Sequence, residues 1–412
     1  MSKGARETVI RGGLVVTGDG VAREDVRLRD GRVVERGPEL PASAGQSVDA
    51  AGCLVLPGIL DVHTHPVYLD DLGDVSVSGA YGGVTTVIHF AYAKPGQGLV
   101  QVIEDFIAQG RERSVLDFAL HGGLFDPANQ SAEIPRAVEL GVTSFKMFMT
   151  YAKLGWMSDD YQLMRTLDII ASVGALGMVH AENGLATDYL EDKYQALGRD
   201  PAEVFLETRP GVLEAEAVNR AAAMAKVAGC PLYIPHVSGR EPVRALWRLR
   251  AEGKRVCGET CPQYLTLTGE EIVRQGPLAK IGPPLRGRAD QQALWGALAS
   301  GGLDVVASDH APKGKKRDDA FFEAPYGSPQ VETMPALIYD GGVAGGWITL
   351  PRMVQLMCEN PAKIFGLYPQ KGTLEVGSDA DLVVWDPAAQ RTITYAAQHS
   401  NAPYTLYEGR SV

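Results

Sequence analysis

The stretch PGILDVHTHP, residues 57–66, continues an apolar run that begins at Leu54. Side chains alternate between the two faces of an extended strand, so His63 and His65 project to the same side. Such a pair is either half of a metal site or two ordinary polar residues at a strand end, and HxH alone does not decide. Beyond this first run, 54–63, seven further apolar or β-branched runs recur at 85–90, 118–125, 143–149, 178–182, 231–237, 256–261 and 305–310. Most intervals carry segments of helical period: LVQVIEDFIAQGRER, DDYQLMRTLDIIASVG, VLEAEAVNRAAAMAKVAG, REPVRALWRLRAEG and RADQQALWGALAS. Eight β-runs separated mainly by helices predict an α/β fold, a (β/α)8 TIM barrel. The interval between the first two runs is poor in helix signal. A doubly wound open sheet is the rival, but no GxGxxG or GxxxxGK[ST] follows a strand, so its nucleotide-binding forms lose support.

Both ends have a different texture. TVIRGGLVVTGDG and DVRLRDGRVVERG alternate around Gly-Asp-Gly and Asp-Gly turns, which are hairpin signals. GTLEVGSDADLVVWDP and RTITYA repeat the pattern near the C-terminus, so the two ends are expected to meet in one small β-domain. The assignment is 1–56 plus 365–412 for that domain and 57–364 for the barrel.

The bulk properties narrow the function. The 412 residues are 45% apolar and 22% charged, as in an ordinary globular chain. A net charge of −11 argues against a sequence-independent nucleic-acid binder, which needs a basic face. No apolar run approaches the roughly 18–20 residues of a membrane span, and MSKGARETVIRGG lacks a signal-peptide core. Five cysteines in no disulfide-like pattern fit a reducing cytoplasm. Cys257 and Cys261, with no second pair, read as buried thiols rather than a zinc site. PKGKKRDD, residues 312–319, reads as a solvated basic loop.

Barrel enzymes do chemistry at the C-terminal ends of their strands. The polar residues there are His63, His65, Lys146, His180, His236 and Asp309. Lys146 lies in TSFKMFM between Phe145 and Met147, and a buried unpaired ammonium is costly, so such a lysine is neutralised or paired. A neutral amine can add carbon dioxide, which turns it into an anionic two-oxygen ligand able to bridge two metals. His89, His121 and His399 are assigned ordinary structural roles, and His310 stands beside Asp309 as a supporting neighbour. Four histidines, a buried lysine and an aspartate converging on one barrel mouth predict a metal site.

Together HTH, the strand lysine, HAEN, PHVSG, GETCPQYL, PPLRG and SDHAP resemble the cyclic-amide branch of the amidohydrolase superfamily. ENPAKIFGLYPQKGTLEVGSDADLVVWDP is similar to the C-terminal region of hydantoinases and dihydropyrimidinases, and the resemblance spans roughly residues 8–410. It implies a β-sandwich built from both termini beside the barrel, and two divalent metal ions bridged by N6-carboxylated Lys146. His63, His65 and Asp309 would hold the more buried metal, and His180 and His236 the more exposed one. Zinc is the expected ion, since imidazole and carboxylate suit it. Tyr151, five residues after the lysine, matches the family residue that donates to the substrate carbonyl oxygen. Asp309 would serve as base and then acid. Relatives commonly form tetramers, so a homo-oligomer, tetramer or dimer, is expected.

The small-molecule substrate implied is a cyclic amide, with a hydantoinase or dihydropyrimidinase reaction giving an N-carbamoyl amino acid. Allantoinase or dihydroorotase activity is the alternative, and a non-catalytic scaffold the third reading. HTHPVYLDD lacks the Arg or Asn that allantoinases and dihydroorotases usually carry there, whereas SDHAP and APYG look more like those relatives. Gly282 stands where hydantoinases generally have serine, and Tyr326 where they tend to have asparagine. Main-chain contacts at Gly282 and Tyr326 would still serve the ring. In the loops 66–74 and 150–159, Val67, Tyr68, Leu154, Trp156 and Met157 are candidates for the pocket that takes the ring's substituent.

Overall fold

A computed structural model describes residues 7–42 and 45–412. The first six residues of the expected small domain, with Ser43 and Ala44, lie outside the described residues. Eight parallel strands follow one another around a sheet: Ile59–Thr64, Val84–Ala93, Asp117–Leu124, Ser144–Phe148, Leu176–His180, Leu232–Ile234, Val256–Thr260 and Val305–Val306. Main-chain bonds close the ring, since the His310 N–H donates to the His63 carbonyl at 3.2 Å and the His65 N–H to the His310 carbonyl at 2.8 Å. The buried Asp61 carboxylate reinforces this seam by accepting the N–H groups of His63 and Ser308. Inward side chains such as Leu60, Val62, Ile88, Phe90, Met178 and Tyr233 fill the barrel as a packed core. Outward ones, among them Phe145, Val179, Ile234 and Val306, pack beneath the helices. The strands are therefore apolar on both faces, as parallel strands covered by helices must be.

Helices Leu99–Arg113, Asp160–Ser172, Gly211–Ala228, Arg240–Ala251 and Arg288–Ser300 form where the 3.6-residue period predicts them. Leu72–Gly82 is a helix that the sequence pattern does not announce. Its start is fixed by a capping box, with Asp71 accepting from Gly73 and Asp74 while Asp74 accepts from the Asp71 N–H. Its small residues serve close packing: Ser76, Ser78 and Gly79 are buried, and a Cβ on Gly82 would lie 2.7 Å from the Glu332 carbonyl oxygen. Buried on several sides, it has no polar stripe to set a period.

The first apolar run is two strands. Gly58 separates Leu54–Pro57 from Ile59–Thr64, and only the second belongs to the barrel. Leu54–Pro57 pairs antiparallel with Leu382–Trp385 and parallel with Leu14–Val16, which also pairs with Val21–Arg23. A second sheet joins Arg32–Gly37, Asp25–Arg29, Glu7–Arg11 and Gln46–Asp49. Ile10, Val15, Val26, Val33, Val55 and Leu374 pack between the two sheets, making the β-sandwich. Asp30 and Gly31 both take positive φ, 50° and 77°, as the Asp-Gly hairpin turn requires. RTITYA forms no strand: only a bridge joins Thr392 to Ser411, and the tail lies on the barrel, with Ile393, Leu406 and Tyr407 buried there and the Asn401 N–H bonded to Asp70 at 2.7 Å.

The Lys371 ammonium joins the two parts of the chain. It meets Asp381 at 2.7 Å, Asp379 at 2.8 Å and Asp117, the first residue of the third barrel strand. This acidic trio is thereby filled by a cation. Lys371→Met is expected to lower thermal stability by about 1–3 kcal/mol, because three carboxylates lose their shared partner. Thermal unfolding against the parent checks this, and an unchanged midpoint would contradict it.

Candidate metal centre

The strands are shorter than the sequence runs at the site, and the ligating candidates sit just beyond several of them. His236 lies two residues after Leu232–Ile234, and Asp309 three residues after Val305–Val306. Both take left-handed backbone conformations, φ 43° and 52°, as does Tyr151 at 64°. Each costs on the order of 1–3 kcal/mol for a non-glycine residue, strain that persists where the surroundings hold a side chain in a working position. Among described residues the only other such cases are Asp30 and Glu39.

His63, His65 and Asp309 present ligand atoms that all lie within 4.8 Å of one another. Asp309 Oδ1 is 2.9 Å from His65 Nε2 and 3.2 Å from His63 Nε2. Burial drives the His63, His65 and His236 rings well below the usual imidazole range, which keeps them neutral, the form that binds metal. His65 Nδ1 is buried without a partner. The rings of His180 and His236 form a second group, with centroids 4.4 Å apart. Lys146 lies between these groups in its strand, 1% exposed, with Nζ 3.0 Å from His63 Nε2 and 4.4 Å above the Phe90 ring. No carboxylate lies within ion-pair distance of it among the described residues. Burial brings this amine down to about 8, against the pull of Asp309 and Glu259. Burial likewise pushes the Asp309 carboxyl up, against His63 and Lys146.

Two carboxylates the sequence reading did not single out orient these ligands. Glu259 accepts from Tyr233 Oη at 2.7 Å and from the His236 N–H at 3.1 Å, and sits 2.6 Å from His63 Nδ1. As a carboxylate Glu259 favours the Nδ1–H tautomer of His63 and turns Nε2 toward the site, while burial pushes its carboxyl up to about 8 against the bonds from Tyr233 and the His236 N–H. Glu182 sits 2.7 Å from His180 Nε2, leaving Nδ1 as the free nitrogen, and accepts from Arg209 at 3.2 Å. Burial would raise the Glu182 carboxyl, but Arg209 and His180 outweigh it and bring it to about 2. A carboxylate inside the short strand VCGET was the available signal for Glu259; Arg209 reaches in from a helix end and leaves none.

His65, Lys146, Tyr151, His180, His236, Gly282, Asp309 and Tyr326 all line one cavity of about 390 Å³, with His63 beneath it. A Cβ on Gly282 would lie 2.9 Å from the Tyr151 hydroxyl and 3.1 Å from the Tyr326 ring, so glycine makes room for both tyrosines. The Tyr326 hydroxyl is taken up by Arg209 at 2.8 Å and Glu191 at 3.1 Å. Tyr68, Leu154 and Trp156 line the cavity beside Tyr92, Phe125 and Phe148; Val67 and Met157 do not. The remaining histidines have structural partners: His121 meets Ser144 and the Val62 carbonyl, His310 meets Asp70, His399 meets Glu332, and His89 meets Thr64 through Nδ1 while its Nε2 is buried without a partner.

Known proteins resemble this chain over nearly its full length. The D-hydantoinase of Ralstonia pickettii is 39% identical, over 98% of this chain and 92% of its own length. That of Streptomyces coelicolor is 39% identical over 98% and 91%. The dihydropyrimidinase structure from Brevibacillus agri superposes with a TM-score of 0.93 at 36% identity, covering 98% of this chain and 92% of its own. The L-hydantoinase of Arthrobacter aurescens gives 0.92 at 32% identity, with the same coverage. The amidohydrolase family profile matches residues 54–412, a range that includes the eight barrel strands, and the chain belongs to that family.

Proposed function

We propose that the protein opens a cyclic ureide by hydrolysis, a hydantoin or a dihydropyrimidine ring giving an N-carbamoyl amino acid. The observation that carries this is a neutral, carboxylate-oriented set of histidines around Lys146 and Asp309 at the floor of a cavity whose wall holds Tyr151. This donor set suits two divalent ions, zinc by preference: His63, His65 and Asp309 for one, His180 and His236 for the other, and Lys146 between them. Lys146 would serve both as its carbamate, formed when the amine adds carbon dioxide and loses a proton. Ions held by these residues would supply an acidified water and a Lewis acid for the scissile carbonyl.

The protein's own groups do the rest. Tyr151 donates its O–H to the carbonyl oxygen as negative charge grows there. Asp309 takes the proton of the attacking water and gives it to the ring nitrogen as the carbon–nitrogen bond breaks. Glu259 and Glu182 hold His63 and His180 in fixed orientation throughout. The small domain is assigned to residues 1–56 and the C-terminal segment from 365, whose tail beyond residue 391 returns to the barrel; the assembly is a homo-oligomer, and the setting is cytoplasmic. No helix among the described residues is long and apolar enough to cross a membrane.

The test is turnover of hydantoin, dihydrouracil, allantoin, dihydroorotate and succinimide by zinc-loaded protein. Hydantoin and dihydrouracil are expected to exceed allantoin and succinimide in kcat/KM by about tenfold or more. A preference for allantoin or dihydroorotate would overturn the ring assignment and keep the reaction class. Less than one metal per chain after loading with zinc and bicarbonate would overturn the binuclear reading.

A further inference from the structure

The basic stretch PKGKKRDD is not a solvated loop throughout. Lys316 and Arg317 are exposed, but Lys315 is 3% exposed, and Lys313 turns inward to line the cavity above the metal centre. Lys313 Nζ lies 2.8 Å from the centroid of the Tyr68 ring. No hydrogen bond or ion pair joins this ammonium to any described residue, so its three donors stay available.

Two neighbouring lysines differ in this respect. Lys280, also in the cavity wall, donates to the Phe322 carbonyl at 2.7 Å, and Lys315 donates to the Leu278 and Lys280 carbonyls at 2.8 and 3.0 Å. Neither meets a carboxylate within ion-pair distance among the described residues. Three lysine amines thus gather from two loops with no carboxylate within ion-pair distance; Lys280 and Lys313 face the cavity, and burial holds Lys315 behind them well below the usual lysine range. Of the carboxylates lining it besides Asp309, Glu191 is engaged by Arg209 and Tyr326, Asp188 stands near Lys153, and Glu323 is exposed. Burial lowers the Lys313 ammonium to about 7, against the pull of Asp309, so an anionic partner would restore its charge.

We infer that Lys313 is a specificity-determining residue that binds a carboxylate carried on the side arm of the ring, so the preferred substrates are cyclic ureides of acidic amino acids. This rests on the ring-opening reading above. Tyr68, on which Lys313 rests, belongs to the loop expected to take the substituent, which places the charge beside the arm. An acid and its amide have nearly the same size, so their difference isolates the ammonium–carboxylate contact.

The zinc-loaded enzyme is to be assayed on hydantoin-5-propionate and hydantoin-5-propionamide. The acid should have a kcat/KM about tenfold or more above the amide, carried mostly in KM. Lys313→Met should collapse that ratio toward one, and Lys313→Arg should restore most of it. A parent ratio at or below one, or a ratio unchanged in Lys313→Met, overturns the inference while ring opening stands. Turnover of neither compound by protein with both metals bound overturns the ring-opening reading and this inference with it.

Discussion

Lys146→Ala is expected to lose catalysis and metal together, with kcat/KM falling by a factor of about 10⁴ or more and bound zinc dropping below one ion per chain. The reason begins with burial. Lys146 is 1% exposed, rests over Phe90, and faces His63 across 3.0 Å rather than a carboxylate. An ammonium there would repel the metals that the surrounding histidines suit, whereas the proposed carbamate would offer an oxygen to each. Alanine removes both oxygens and leaves the site short of negative charge. Metal analysis beside the assay separates this from a folding defect, which circular dichroism would reveal. Acetate or propionate in the buffer should return part of both signals, because a free carboxylate can occupy the space of the missing side chain. A folded variant that keeps its metal and its rate would sink the bridging role.

The parts of this molecule that could be read from the sequence share a physical cause. Strand-end polar residues are legible because a barrel brings strand ends together whatever the helices between them look like. His63, His65, Lys146, His180, His236 and Asp309 followed from that convergence. The apolar run through Leu54–Pro57 and Ile59–Thr64 is continuous, so little marked the change of sheet except Gly58, beside which Asp381 and Thr85 leave no space for a side chain. The Leu72–Gly82 helix was hidden because a helix buried on several sides shows no amphipathic period. Arg209 and Lys313 were hidden for another reason: each acts by reaching across from a loop or helix end, and local pattern does not encode such contacts. The charge of PKGKKRDD pointed to solvent, yet the loop folds two of its lysines inward.

Asp309→Asn separates holding the metal from moving the proton. Asparagine tolerates the left-handed conformation found at Asp309, φ 52°, so the backbone should keep its course. The amide oxygen still lies where His63 and His65 approach within 3.2 and 2.9 Å, and it can still serve as a neutral ligand. It cannot accept the proton of the attacking water or return one to the ring nitrogen. The expected result is a kcat lower by about 10³-fold, with KM changed only a few-fold and at least one metal retained. Because the leaving nitrogen is no longer protonated by the enzyme, the loss should shrink for rings whose leaving nitrogen is a weaker base. Rates across a series of N-substituted rings read that slope directly. A variant within tenfold of the parent at equal metal content would assign the proton transfer to another group.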